Sequence, residues 1–278
     1  MNKTWFITGA GSGIGKGIAK AALCAGDCVV ATGRNLEKVR KVYPDVAPEN
    51  IAFVQLDVTE EVEAKAAVDE AVKRFGRIDI LVNNAGYSLL GNFEQMMTAE
   101  IQQQFAPNFY GIVHVMQAAL PVMRRQRSGH IINISSVAGV VGPKHCAAYA
   151  ATKFAVESLS LSVATEVEKF GIKVTVVEPG FFRTDLLDAN NVRWVTKVIE
   201  DYAPEGTAEA MWSQYHGTQP NDPAKLGDAL VKIAAMQNPP KVFIAGGDAL
   251  DVITPVIEER LRELRAHETL SKSTLGSF

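Results

Sequence analysis

Thr4-Trp5-Phe6-Ile7-Thr8-Gly9-Ala10-Gly11-Ser12-Gly13-Ile14-Gly15 is the stretch that decides the fold. Residues 4–8 are apolar and β-prone, and a glycine-rich turn follows at once. A helical pattern then runs from about Lys16 to Ala25 and is closed by Gly26. Strand, glycine turn and helix in that order are the context a dinucleotide site requires. Five of the seven residues from Gly9 to Gly15 are glycine or serine, more than a plain turn needs. Glycines let the backbone approach a pyrophosphate resting on the positive end of the helix. Gly9, Gly11, Ser12, Gly13, Ile14 and Gly15 are therefore expected to bind a cofactor.

Outward from this unit, strands and helices alternate. Cys28–Thr32 reads as a second strand that ends at Gly33-Arg34. An acidic residue there would hold an adenosine ribose; this chain offers a guanidinium, which can fork onto a 2′-phosphate. NADP(H) is therefore expected over NAD(H). Ile51–Leu56 leads into Asp57-Val58, a helix over about 60–75 stops at Gly76, and Ile78–Val82 delivers Asn83-Asn84-Ala85-Gly86. A long helical stretch over about 98–126 is interrupted at Pro107-Asn108, where a kink is expected. Ile131–Ile134 leads into Ser135-Ser136, and Lys173–Val177 delivers Glu178-Pro179-Gly180-Phe181-Phe182-Arg183-Thr184. The pattern predicts helices from Tyr149 to about 170, over 223–236 and over about 255–267, with a last strand at 241–245. The fold class is α/β, a doubly wound parallel sheet of about seven strands with right-handed crossovers. Ligands of such sheets bind at the carboxyl ends of the strands, where Asp57, Asn83, Ala85, Ser136 and the glycine turn all fall.

The chain reads as one domain over residues 1–278, with a substrate loop or lid at about 185–222 and a C-terminal helical extension at about 254–278. A net charge of −3 without a basic block argues against a nucleic-acid partner. Cys24, Cys28 and Cys146 form no disulfide framework or metal cluster, and no metal is expected at His145 and Cys146. Strand-like sequence from Thr4 leaves no room for a signal peptide, and no apolar run could span a bilayer. A cytoplasmic setting is the expectation.

Tyr149 and Lys153 stand four residues apart on one helix face. A phenol with a pKa of about 10 exchanges protons poorly at neutral pH. An ammonium beside it is expected to lower that value and make it an effective general acid or base. Ser136, thirteen residues upstream at a strand end, can meet Tyr149 on one carbonyl oxygen. Val137, Val141, Phe182, Leu186, Leu187, Trp194 and Trp212 are candidate linings of an apolar pocket.

Together these motifs resemble the short-chain dehydrogenase/reductase family, over about residues 4–250. Thr8-Gly9-x-x-x-Gly13-Ile14-Gly15 is similar to its cofactor motif and Asn83-Asn84-Ala85-Gly86 to its structural motif. Asn108, Ser136, Tyr149 and Lys153 match its catalytic four, and Pro179-Gly180 with Thr184 its nicotinamide-side motif. Residues 179–185 also resemble a branch called 17β-hydroxysteroid-dehydrogenase-like. The resemblance implies hydride transfer between nicotinamide and a moderately apolar ketone or secondary alcohol. Tyr149 would donate the proton and Ser136 would bind the same oxygen, chosen over Ser135 by its spacing to Tyr149. Lys153 would hold the nicotinamide ribose, and Asn108 would position a water linking Lys153 to solvent. Asp57, Val58, Asn84, Ala85, Gly86, Pro179, Gly180, Phe182 and Thr184 join the glycine turn, Arg34, Tyr149 and Lys153 as the expected cofactor contacts. A homodimer or homotetramer built through the long helices is a family expectation. The alternative is a non-catalytic NADP(H)-sensing regulator, which commonly lacks the tyrosine or lysine kept here. Sugar-nucleotide epimerases share the Tyr-x-x-x-Lys pattern but differ in glycine spacing.

Overall fold

Strand β1 (Thr4–Ile7) is buried along its whole length, as a strand covered by helices on both faces must be. After the turn come α1 (Gly13–Cys24), β2 (Cys28–Gly33), α2 (Leu36–Arg40), β3 (Ile51–Gln55), α3 (Glu61–Phe75) and β4 (Ile80–Asn83). The chain continues through β5 (Ser88–Leu90), α4 (Thr98–Phe105), a π turn over Ala106–Tyr110 and α5 (Gly111–Gln126). β6 (Gly129–Ile134), α6 (Ala147–Val167), β7 (Ile172–Pro179), β8 (Val192–Trp194) and α7 (Ala208–Ser213) follow. The last elements are α8 (Pro223–Ala235), β9 (Val242–Ala245), α9 (Gly247–Ala266) and α10 (Glu268–Lys272). The computed structural model describes residues 2–188 and 191–276. Residues 189–190 of the expected lid and 277–278 of the expected extension lie outside the described residues.

Seven parallel strands form the central sheet in the order β3-β2-β1-β4-β6-β7-β9. Neighbouring side chains on a strand point to opposite faces, and both faces are apolar here. Phe6, Leu81 and Ile131 join Ala67 and Val68 of α3 and Val115 and Ala119 of α5 in one layer. Trp5, Ile7, Val82 and Ile132 join Ile18 of α1 and Leu230 of α8 in the other. The order runs outward from β1 in one direction and from β4 in the other, which opens a crevice at their carboxyl ends.

Helix α1 begins at Gly13, earlier than the expected Lys16, because Gly13 at φ +51 makes the bend at the helix's first position. Helix α9 begins at Gly247, so Pro255 lies inside it where the expectation placed its start. Proline removes one helical donor, but the residue is exposed and water can serve the freed carbonyl, while Ala249 and Ile253 are buried upstream. Three short elements carry no periodic signal. α2 is held by the Asn35 carboxamide accepting from the Lys38 amide at 2.9 Å. β5 and β8 pair in parallel across about a hundred residues, Ser88 opposite Val192 and Leu90 opposite Trp194.

One core group ties stability to pH. His130 of β6 is buried with Nε2 2.8 Å from the Thr175 hydroxyl, which itself donates to the Pro240 carbonyl at 2.6 Å. The Thr175 proton is thus committed, and the His130 Nε2–H donates. Burial above all, helped by the charges of Lys173 and Lys3, pulls the imidazole down to about 4. An unfolded histidine protonates near 6.5, so between about pH 6.5 and 4 only the unfolded chain takes the proton and stability falls with pH. That loss should approach about 3 kcal/mol. It should be missing from His130→Gln when urea midpoints are compared from pH 7.5 to 4.5; parallel curves would contradict it.

Candidate active site

The first half of the site is the β1–α1 turn and the clamp that holds it. Gly9 and Gly13 have φ of +67° and +51°. Ser12 precedes α1 and spends no side-chain hydrogen bond on capping it, and the first turn of α1 carries no acidic residue. A positive, uncapped helix end facing a glycine cradle fits a pyrophosphate. The buried Thr8 hydroxyl accepts the amides of Asn84 at 2.9 Å and Ala85 at 3.0 Å. The Asn84 carboxamide donates to the carbonyls of Thr8 at 2.9 Å and Gly9 at 3.3 Å. Asn84 and Ala85 thus lock the turn to the end of β4. Tyr43 supports it from beneath, donating to the Ala10 carbonyl at 2.6 Å, a contact no sequence motif signals.

Gly86 continues the clamp into the π turn. A Cβ on Gly86 would lie 2.8 Å from Asn108 Oδ1, so only glycine fits against this side chain. Asn108 is 1% exposed. Its Oδ1 accepts the Tyr87 amide at 3.1 Å, and its Nδ2 donates to the Tyr87 carbonyl at 3.0 Å and the Thr152 hydroxyl at 3.4 Å. The kink expected at Pro107-Asn108 is this π turn. Pro107 has no amide to donate, and Asn108 fastens the irregular segment to the chain after β4 and to α6.

The second half is the row along α6. Tyr149 stands in its first turn and Lys153 one turn on. The Ser136 hydroxyl at the end of β6 accepts the Ala138 amide at 3.1 Å, and it stands near enough to the Tyr149 phenol to favour its ionised form. Ser135 is turned inward, its hydroxyl donating to the Lys153 carbonyl at 3.4 Å. Lys153 is buried, donates to the Ile134 carbonyl at 2.9 Å, and lies with Nζ 5.5 Å from the Tyr149 ring centre. One expectation is overturned here. Burial pushes the Tyr149 phenol up to about 12, against the nearby Ser136 hydroxyl. It also pulls the Lys153 ammonium down to about 8, against the charge of Glu157. Leaving water disfavours both charged forms, and the ammonium's hydrogen bond goes to a backbone carbonyl rather than to the phenol. Glu157, a further turn along the row, was missed, though its spacing from Lys153 repeats the interval that flagged Tyr149. Its Oε1 is buried and unpartnered among the described residues, and burial raises the carboxyl to about 7.

The third piece is the loop after β7, which begins where Pro179 ends the strand. Asp248, in the first turn of α9, accepts the Phe181 amide at 2.6 Å and the Asn221 carboxamide at 2.6 Å. Asn221 also donates to the Phe181 carbonyl at 3.0 Å. A Cβ on Gly180 would meet this Asp248 carboxylate. The loop thereby reaches the glycine turn, with the Thr184 side chain 3.2 Å from a Cβ built on Gly13. Asp248 and Asn221 are far from residues 179–184 in sequence, and nothing there flags them.

On the adenosine side Arg34 is exposed just past β2. Asp57 accepts the Thr59 amide at 3.0 Å and hydroxyl at 2.8 Å, and the buried Val58 receives the His114 ring at its carbonyl, 3.0 Å away. On the substrate side Leu187, Trp194 and Trp212 gather with Tyr149 around Leu90, Ala138, Cys146, Ala150 and Val192. Phe182 does not; it is buried in the core layer with Leu226 and Ala245, because the loop directs it under the sheet edge. Val137, Val141 and Leu186 also lie outside the Tyr149 cluster. Ion pairing between Lys144 and Glu205 and the Tyr202 hydroxyl donating to Glu94 at 2.9 Å fasten the segment around 200–205 over this face. Burial pushes the Cys146 thiol up to about 12, and His145, at φ +66, keeps a buried Nδ1 unpartnered among the described residues.

Known proteins resemble this chain. A family model described as short chain dehydrogenase matches residues 3–193. Over 271 residues the chain is 36% identical to oxidoreductase BOA17 of Botryotinia fuckeliana (strain B05.10), covering 95% of this chain and 98% of that protein. A solved short-chain dehydrogenase from Streptomyces avermitilis superposes with a TM-score of 0.88 at 35% identity, covering 99% of each chain. The solved structure of ElxO with NADP bound matches with a TM-score of 0.75 at 31% identity, covering 90% of this chain and 100% of that one.

Proposed function

The chain belongs to the short-chain dehydrogenase/reductase family, and from that premise we propose that it is an NADP(H)-dependent oxidoreductase interconverting a moderately apolar ketone and its secondary alcohol. The observation that carries this reading is that Ser136, just past β6, and Tyr149, in the first turn of α6, lie close to one another at the strand edge that also holds the glycine turn. A nicotinamide bound against Pro179–Thr184 would supply the hydride. Ser136 and Tyr149 would donate hydrogen bonds to the substrate oxygen, and Tyr149, still protonated at neutral pH, would pass its proton to it. Lys153, fixed by the Ile134 carbonyl, would stabilise the phenolate left behind and hold the ribose. The Asn108 carboxamide is fully engaged, so Asn108 is a positioning residue and a water linking Lys153 to solvent would rest on π-turn backbone. The apolar cluster around Tyr149 suits a ketone with hydrocarbon flanks.

The cofactor preference rests on Arg34, exposed at the end of β2 with no acidic residue beside it, and on a relative that binds NADP. The Asn35 carboxamide caps α2, which leaves the guanidinium as the main group for a 2′-phosphate. Arg34→Ala should raise KM for NADPH about 10–100-fold, the worth of a charge-assisted hydrogen bond, while KM for NADH stays level. Initial rates with both cofactors across a panel of ketones and secondary alcohols test the reading. NADPH binding without turnover anywhere in the panel would favour a regulatory sensor, and a strong NADH preference would remove Arg34 from its role.

A further inference from the structure

Helix α9 leaves the body of the protein after Ile253, its last buried residue, and every described residue from 254 to 276 is exposed. About three turns of helix follow with every residue exposed, and they contain a proline. An isolated helix of that length is marginal in water, so it needs a surface to pack on. Four of its apolar residues fall on one stripe, while Val252 and Val256 lie on the opposite side. Leu250, Ile257 and Leu264 are seven apart with Leu261 between them, at 49%, 52%, 63% and 44% exposure. An uncovered stripe of this extent marks an interaction surface.

Charge decides what covers it. From 255 to 272 the acidic Glu258, Glu259, Glu263 and Glu268 are matched by Arg260, Arg262, Arg265 and Lys272. That balance disfavours an anionic lipid surface, which calls for a basic face. Glu259 pairs with Arg262 and Glu268 with Lys272 within the chain. Glu258, Arg260, Glu263 and Arg265 make no such pair among the described residues. At 100° per residue Glu258 and Arg265 flank the stripe on one side and Arg260 on the other, while Glu263 falls roughly 130° from its centre. The Glu258 and Arg265 pair is centred midway between residues 261 and 262. A two-fold axis through that point sets each Glu258 beside Arg265 of the other copy. A parallel pairing would instead bring Arg260 against Arg265.

We propose that α9 pairs antiparallel with α9 of a second copy of this chain, burying Ile257, Leu261 and Leu264 about a two-fold axis. The surface is separate from α5 and α6, where Phe154 and Leu161 of α6 are also exposed.

Sedimentation equilibrium of the full chain tests the pairing, with thermal unfolding to confirm that each variant is folded. Ile257→Glu combined with Leu261→Glu should halve the mass of the assembly. Glu258→Arg alone should raise the dissociation constant at least about tenfold, since two like-charge contacts form, and adding Arg265→Glu should restore it. In a Cys24→Ser background, Leu261→Cys lies beside the axis and should oxidise to a covalent dimer, whereas Glu259→Cys on the opposite face should not. An unchanged mass in the double glutamate variant would mean that copies meet elsewhere, through α5 and α6 for example, and would overturn the proposal. A monomeric wild type or a charge swap without rescue would do the same.

Discussion

Tyr149→Phe is expected to remove turnover while leaving NADPH binding intact. The substitution deletes one oxygen and keeps the ring, so the packing with Leu90, Ala138 and Ala150 is preserved. What disappears is the hydroxyl near Ser136 that can hand a proton to a substrate oxygen. General-acid catalysis is worth on the order of 10²–10⁴ in rate, and a loss of that size in kcat is anticipated. Nicotinamide fluorescence titration should give the same dissociation constant for both proteins. The pH dependence follows from the two shifted groups. With its pKa near 12 the phenol is protonated throughout the working range, which suits reduction. Lys153 loses its proton near 8, and a neutral amine no longer stabilises the phenolate. Reduction should therefore decline above about pH 8, read as the basic limb of kcat/KM. Turnover retained in the phenylalanine variant would end the mechanism.

The second large effect is on Gly15→Ala. A Cβ at this position would lie 2.4 Å from the Gly9 carbonyl oxygen and 2.6 Å from Asn84 Nδ2. Neither can step aside cheaply, because one is turn backbone and the other is the clamp that holds it through Thr8 and Gly9. The turn must open or α1 must shift, at a cost of about 1–3 kcal/mol for overpacking. Melting should fall by roughly 3–10 °C. The same shift spoils the cradle of amides, so NADPH affinity should drop by more than about tenfold. Gly142→Ala is the control, since a Cβ there meets nothing within 4 Å, and it should melt with the wild type. Equal melting and equal affinity for the two variants would show that the turn is looser than its contacts imply.

The main frame of this molecule was legible because its signals are local. β1, the glycine turn and α1 sit in one uninterrupted stretch, and the buried strands are short apolar runs bounded by turns. The catalytic row follows from helix spacing, which places Tyr149 and Lys153 on one face wherever α6 points. Asp248 reaching back to Phe181, and β5 pairing with β8, join residues about 67 and 104 apart, and no periodic pattern records such a contact. The charge state of the row is not legible in the sequence for the same reason. Spacing puts an ammonium near a phenol but does not say how much water both have lost, and here burial outweighs the attraction.

By itself the sequence determined the alternation of elements, the strand ends where ligands gather and the residue types at those ends, since all three are written in nearest-neighbour order. Only the tertiary structure decided that Phe182 turns into the core while Leu187, Trp194 and Trp212 meet Tyr149, and that Asn108 is held by Tyr87. Those outcomes depend on which distant segments share a surface, and that is set by packing over the whole chain.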